Sequence, residues 1–150
     1  MPVSSNVRRH KHSDWLAHLL NERQNHKMPP TLLASISSWA LVTLGLAHVG
    51  FGIIKFKAPL IEAISSGFVG KFSVPEVRRT AFWFVMFGVP LILAGHIAVR
   101  ASASGDLSLL AIIGSYVFAT SLVGIAAFPK SPFPASLLVS VFLVLAGLGF

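Results

Sequence analysis

LLASISSWALVTLGLAHVGFGII, residues 32–54, runs without a single charged side chain. A hydrocarbon core about 30 Å thick is crossed by about 20 helical residues, so this stretch alone predicts a transmembrane helix. Lys55 and Lys57 close it, on stems long enough to bring their ammonium groups back to the headgroups.

Three further apolar runs follow. Residues 80–99 open with an aromatic belt (Phe82, Trp83, Phe84, Phe87) and close at Arg100. Pro90 lies inside this run; it removes a backbone hydrogen bond, which predicts a kink tolerated where neighbours satisfy the freed carbonyl. Residues 107–128 form a third run and 134–150 a shorter fourth, with proline suited to its first turn. The connectors between spans two, three and four are short, so these spans are expected to be antiparallel neighbours. Between the first two, residues 55–79 make the longest loop, in which Pro59 to Phe68 reads as a short interfacial helix ended by Gly67 or Gly70. The runs are too long and too uniformly apolar for strand alternation. The expected fold is an all-α membrane protein: a four-helix transmembrane bundle over residues 32–150, with an interfacial helix in its first loop.

Composition leads to the same place. Apolar residues make up 54% of the 150 and charged residues 11%. A soluble domain this small needs more charge to cover its surface. The net charge of +7 comes from 12 basic against 5 acidic residues. These charges sit before and between the apolar runs, as in juxtamembrane segments, not on the solvated basic face that nucleic acid requires. The expected partner is therefore the lipid bilayer, with no nucleic acid. The chain has no cysteine. Disulfides, cysteine-ligated zinc, iron–sulfur clusters and thiol catalysis are excluded, and no cofactor or metal is expected.

Residues 1–31 form a polar arm with a basic, histidine-rich tract (Arg8, Arg9, His10, Lys11, His12). Within it Ser13 to Lys27 suits a helix lying on the membrane, with Trp15, Leu16, Leu19 and Leu20 on one side. No apolar core of a secretory signal precedes residue 31. The basic residues on the two sides of the membrane nearly balance. Those of the 55–79 loop lie closer to the spans, which favours a cytoplasmic loop by a narrow margin. Small residues recur four apart (Ala94 and Ala98; Ala111, Ser115 and Ala119; Thr120 and Gly124; Ser136 and Ser140), a spacing that lets helices approach closely in lipid.

Two histidines fall within spans, His48 and His96. Counted along antiparallel helices at about 1.5 Å per residue, their depths differ by roughly 20 Å, too far for one metal ion. Level with His48 lie Trp83 and Met86 on the second span, Thr120 and Ser121 on the third and Ser140 on the fourth. An ionisable residue inside a membrane is a functional candidate and usually faces the bundle interior. The site this predicts is a pocket for a small lipophilic ligand. His48 supplies its polar contact, Trp83, Met86, Phe87, Ser121 and Ser140 line it, and Glu62 and Arg79 in the long loop form a lid. The plainer reading is a histidine that bonds a backbone carbonyl or a serine between helices. His48 and Met86 are both residue types that ligate haem, but nothing else in the sequence supports one. The spans contain no Asp or Glu, so neither proton-coupled export nor paired-carboxylate chemistry has a residue to work with.

The segments Gly45 to Gly52 (GLAHVGFG), Pro59-Leu60 with Gly67 shortly after, and Ala81 to Gly88 (AFWFVMFG) resemble a family of small four-span membrane proteins of unknown function from bacteria and fungi, loosely similar to DoxX-like proteins. The resemblance covers about residues 32–150. It implies the four-span fold and directs attention to His48 and Trp83. It implies no activity, and the DoxX-like likeness hints only at a quinone or redox partner in the membrane. The function expected is a multi-pass membrane protein that binds a lipophilic molecule or a membrane partner, homo-oligomers included. The alternatives are a membrane enzyme acting on an isoprenoid or other lipid and a structural or accessory subunit.

Overall fold

A computed structural model describes residues 32–129 and 131–150 of the chain. The expectations for the N-terminal arm, residues 1–31, and for Lys130 lie outside the described residues. Five helices follow one another: α1 (Leu32–Lys55), α2 (Lys57–Ser65), α3 (Glu76–Ser104), α4 (Leu107–Ala127) and α5 (Phe133–Gly147). There is no strand among the described residues. Helices α1, α3 and α4 are long and apolar enough to cross a membrane, and α5 is a shorter apolar helix of 15 residues.

The boundaries differ from the sequence reading chiefly in α3, which extends beyond residues 80–99 at both ends. Arg78 and Arg79 lie in its opening turns, and the Ala101–Ser104 segment expected to be a connector is helical. Packing accounts for the second extension: Ala101 and Ser102 are buried, with the Ser102 hydroxyl 3.4 Å from that of Ser35 on α1. Gly105 then takes the left-handed conformation (φ 72°) that ends a helix without side-chain strain. The Asp106 N–H returns to the Ala101 carbonyl at 2.9 Å. The Asp106 carboxylate in turn accepts the Leu109 N–H at 3.0 Å, capping α4. That bond, then the Ser108 hydroxyl, holds the Asp106 carboxyl below the ordinary carboxylate range, against a smaller raising effect of burial. Helix α2 begins two residues before the expected Pro59 and stops at Ser65, followed by Gly67 at φ 107°.

The helices pack as two closely apposed pairs, α1 with α3 and α4 with α5, each antiparallel. In the first pair glycine faces a bulky residue at every step. A methyl group on Gly95 would meet the Val42 backbone at 2.7 Å, and one on Gly45 the Ile92 backbone at 2.8 Å. On Gly88 it would strike the Val49 side chain, and on Gly52 the Phe84 and Val85 side chains. As α1 runs from 42 to 52, its partners run back from 95 to 84. The buried small residues Ser38, Gly45 and Gly52 on α1, and Ala81, Gly88, Gly95 and Ser102 on α3, each recur seven apart. The α4/α5 pair repeats the device: Gly114 against Val144, Gly147 against Ala111, and Gly124 under the Phe133 ring. A seven-residue spacing keeps one seam facing its partner under left-handed packing. Of the four-residue stripes of the sequence reading, Ala98, Ala111, Gly124 and Ser140 lie in packed helix contacts, whereas Ser115, Ala119 and Thr120 are exposed. The two pairs share an apolar cluster at one end, built from Ala34, Leu41, Ala98, Ala101, Leu110, Leu143 and Ala146.

Candidate functional site

His48 sits on α1 between Gly45 and Gly52, at the end away from that shared cluster. Gly88 on α3 makes room for it: a methyl group there would lie 3.3 Å from the imidazole Cδ2. The ring stacks on Phe84, centroids 4.4 Å apart and planes within 12°. Its Nε2 lies 3.0 Å from the Phe84 carbonyl oxygen. A carbonyl only accepts, so Nε2 carries the proton in this bond. In the neutral ring Nδ1 then keeps its lone pair, and it makes no hydrogen bond among the described residues. Aromatic rings continue outward from this pair. Phe87 is tilted 6.5 Å from His48, while Phe51 and Phe56 stand 6.1 and 5.4 Å from Phe84. Phe56 joins α1 to α2, so the long loop begins against this cluster.

The other residues singled out from sequence distribute over three places. Met86 and Phe87 are exposed on α3, Phe87 still touching the imidazole's surroundings. Trp83 is 65% exposed and, with Arg79, Phe72, Ser73 and Phe82, lines a shallow open groove of about 370 Å³. Ser121 and Ser140 are buried within the α4/α5 pair. The Ser121 hydroxyl donates to the Val117 carbonyl and lies 2.7 Å from the Ser136 hydroxyl, and Ser140 donates to Leu137 at 2.7 Å. Glu62 does reach α3 from the loop, but its ion-pair partner is Arg78 at 3.2 Å; Arg79 pairs with Glu76 at 3.1 Å. His96 is exposed on α3. No cluster of metal-ligating side chains occurs among the described residues.

Phe84 is the residue that sequence reasoning left in the aromatic belt without a role. The register that reveals it comes from the packed helices: with Gly45 opposite Ile92 and Val49 opposite Gly88, His48 lies nearest residue 89, and Phe84 and Phe87 are the aromatic residues of α3 within five positions on that side.

Residues 32–148 match the model of a family of unknown function (DUF6463). No curated protein and no solved structure matches the chain.

Proposed function

The chain belongs to that family of unknown function, matched over residues 32–148, and we propose that it is a multi-pass integral membrane protein whose four apolar helices form a transmembrane bundle that binds a lipophilic small molecule at His48. Three helices long enough to span support the membrane reading. α5 completes the bundle if Pro132 and the Leu148–Phe150 turn extend its reach to the interfaces. The observation that carries the binding reading is the divided imidazole: Nε2 is spent on the Phe84 carbonyl, and Nδ1 is left as an acceptor beside an aromatic wall. In hydrocarbon an unpaired acceptor is costly, so a ligand that offers a hydroxyl or N–H on a flat or branched apolar body fits it. Phe84 and Phe87 supply the wall, and the Glu62–Arg78 pair holds α2 over the same end. A quinol or an isoprenoid alcohol has this chemistry.

A second reading rests on the same contact, since a histidine bonded to a facing carbonyl is also what interhelical glue looks like. The two separate experimentally. The full chain, purified in mild detergent and analysed by lipid-directed mass spectrometry, is expected to carry a donor-bearing lipophile. His48→Ala is expected to insert and melt within a few degrees of the parent while losing that molecule. Parallel loss of thermal stability and ligand supports the glue reading, and a parent protein that carries only bulk phospholipid ends the binding one.

A further inference from the structure

The chain has one tyrosine, Tyr116. Tyrosines of membrane proteins concentrate at the interfaces, where the hydroxyl meets water. Tyr116 is instead the tenth of the 21 residues of α4, and it is 74% exposed. At about 1.5 Å per residue it lies about 14 Å from the nearer end of the helix, and a phenol on two single bonds reaches less than half that distance. With α4 spanning the bilayer, its hydroxyl is held in hydrocarbon, and it has no hydrogen-bond partner among the described residues. An unpaired hydroxyl there is costly, since no water replaces the missing partner.

The rest of the face supplies the missing acceptor, but not within one molecule. Ile112, Ser115, Tyr116, Ala119 and Val123 share one exposed side of α4, away from Gly114, Ser121 and Gly124, which pack on α5. The Ser115 hydroxyl gives its proton to the Ala111 carbonyl at 2.8 Å, and Thr120 gives its own to the Tyr116 carbonyl at 2.8 Å. Both oxygens keep free lone pairs. The face therefore carries one unspent donor and two unspent acceptors, with Ser115 and Ala119 small enough for close approach.

We propose that this face of α4 binds the same face of a second copy of the chain, as a parallel two-fold pair in which each Tyr116 hydroxyl donates to Ser115 of the other copy. Copies inserted the same way relate by an axis along the membrane normal, so their α4 helices run parallel and one patch must satisfy itself. Helical side chains lean toward the N-terminus, which brings the phenol level with Ser115 on the facing helix. A lipid tail offers no acceptor. A partner protein would need its own, whereas this surface already holds a complementary set. The proposal rests on α4 spanning the membrane and not on ligand binding at His48.

The absence of native cysteine makes the test direct. The full chain is expressed with single substitutions, recovered in the membrane fraction and cross-linked by oxidation. Ile112→Cys, Ala119→Cys and Val123→Cys are expected to give disulfide dimers, and Val117→Cys is not. In bilayers diluted for subunit counting, Tyr116→Phe keeps the ring and is expected to weaken dimerisation about three- to tenfold. Ser115→Ala is expected to do the same and the double substitution no more, while His48→Ala leaves dimerisation unchanged. Cross-links without this periodicity, a chain monomeric at every density, or a Tyr116→Phe chain that dimerises like the parent would overturn the proposal. So would a monomer that carries another protein or a small molecule on this face.

Discussion

Gly95 and Gly50 lie on facing helices and differ in one respect: what a side chain would meet. At Gly95 it is the Val42 backbone, 2.7 Å away, which no rotamer change relieves; at Gly50 nothing lies within 4 Å. Gly95→Ala is therefore expected to force α1 and α3 apart and cost about 1–3 kcal/mol. Gly50→Ala should stay within about 0.5 kcal/mol of the parent. Denaturation in mixed detergent micelles measures both. Asp106 carries the pH-dependent part of stability among the groups that cap helices. Its carboxyl is held below the ordinary value of 3.8 by the Leu109 N–H and then the Ser108 hydroxyl. A lowered folded value means the cap contributes in full well above pH 3.8 and is lost as pH falls through that lowered value. Asp106→Asn keeps an acceptor for Leu109 and should remove this acid sensitivity at little cost at neutral pH. Asp106→Ala should lower the melting temperature by a few degrees at neutral pH. Melts at pH 3 and 7 distinguish the two.

At the scale of elements, the 55–79 loop is held by aromatic packing, Phe56 on Phe84 and Phe72 on Phe82, and by an ion pair. Arg78 is 19% exposed and reaches Glu62 on α2 at 3.2 Å, while its Nε is buried without a partner among the described residues. Arg78→Gln is expected to leave α3 helical and raise hydrogen exchange in α2 a few-fold; an unchanged α2 would show that Phe56 packing on Phe84 suffices to hold it. The helices themselves were legible because charge is excluded from long windows, a signal that survives any detail of packing. α3 ran longer than read because Ala101 and Ser102 look like a connector in sequence and become helical only when α1 covers them. The packing seams were legible only in part, at Ala98, Ala111, Gly124 and Ser140. Four-residue spacing is the commoner signature of close helices in lipid, but here Gly45 with Gly52, and Gly88 with Gly95, recur at seven, and nothing local separates the two spacings. His48 stood out because it is ionisable in an apolar run. That it faces Phe84, and not Trp83 one residue before, depends on helix rotation, which only the opposing glycines determine.

For the whole molecule, the bilayer reading makes a simple demand. The full chain should sediment with membranes through alkaline carbonate and need detergent for extraction; a soluble, monodisperse chain would remove the bundle and the α4 pairing together. The described charges gather toward the ends of the helices and in the loop, and the large exposed apolar side chains between them (Trp39, Phe87 and Phe142 among them) are those a lipid surface tolerates and water does not.

The pairing of neighbours in sequence has one more result. Each tight seam joins consecutive long helices, α1 to α3 and α4 to α5, and the shared cluster at one end is the principal apolar joint between the halves. During synthesis, residues 32–104 already hold every contact of the first seam before α4 is made. The nascent chain is thus expected to zip its opening hairpin while still tethered to the ribosome, leaving only a single late docking step between two finished halves.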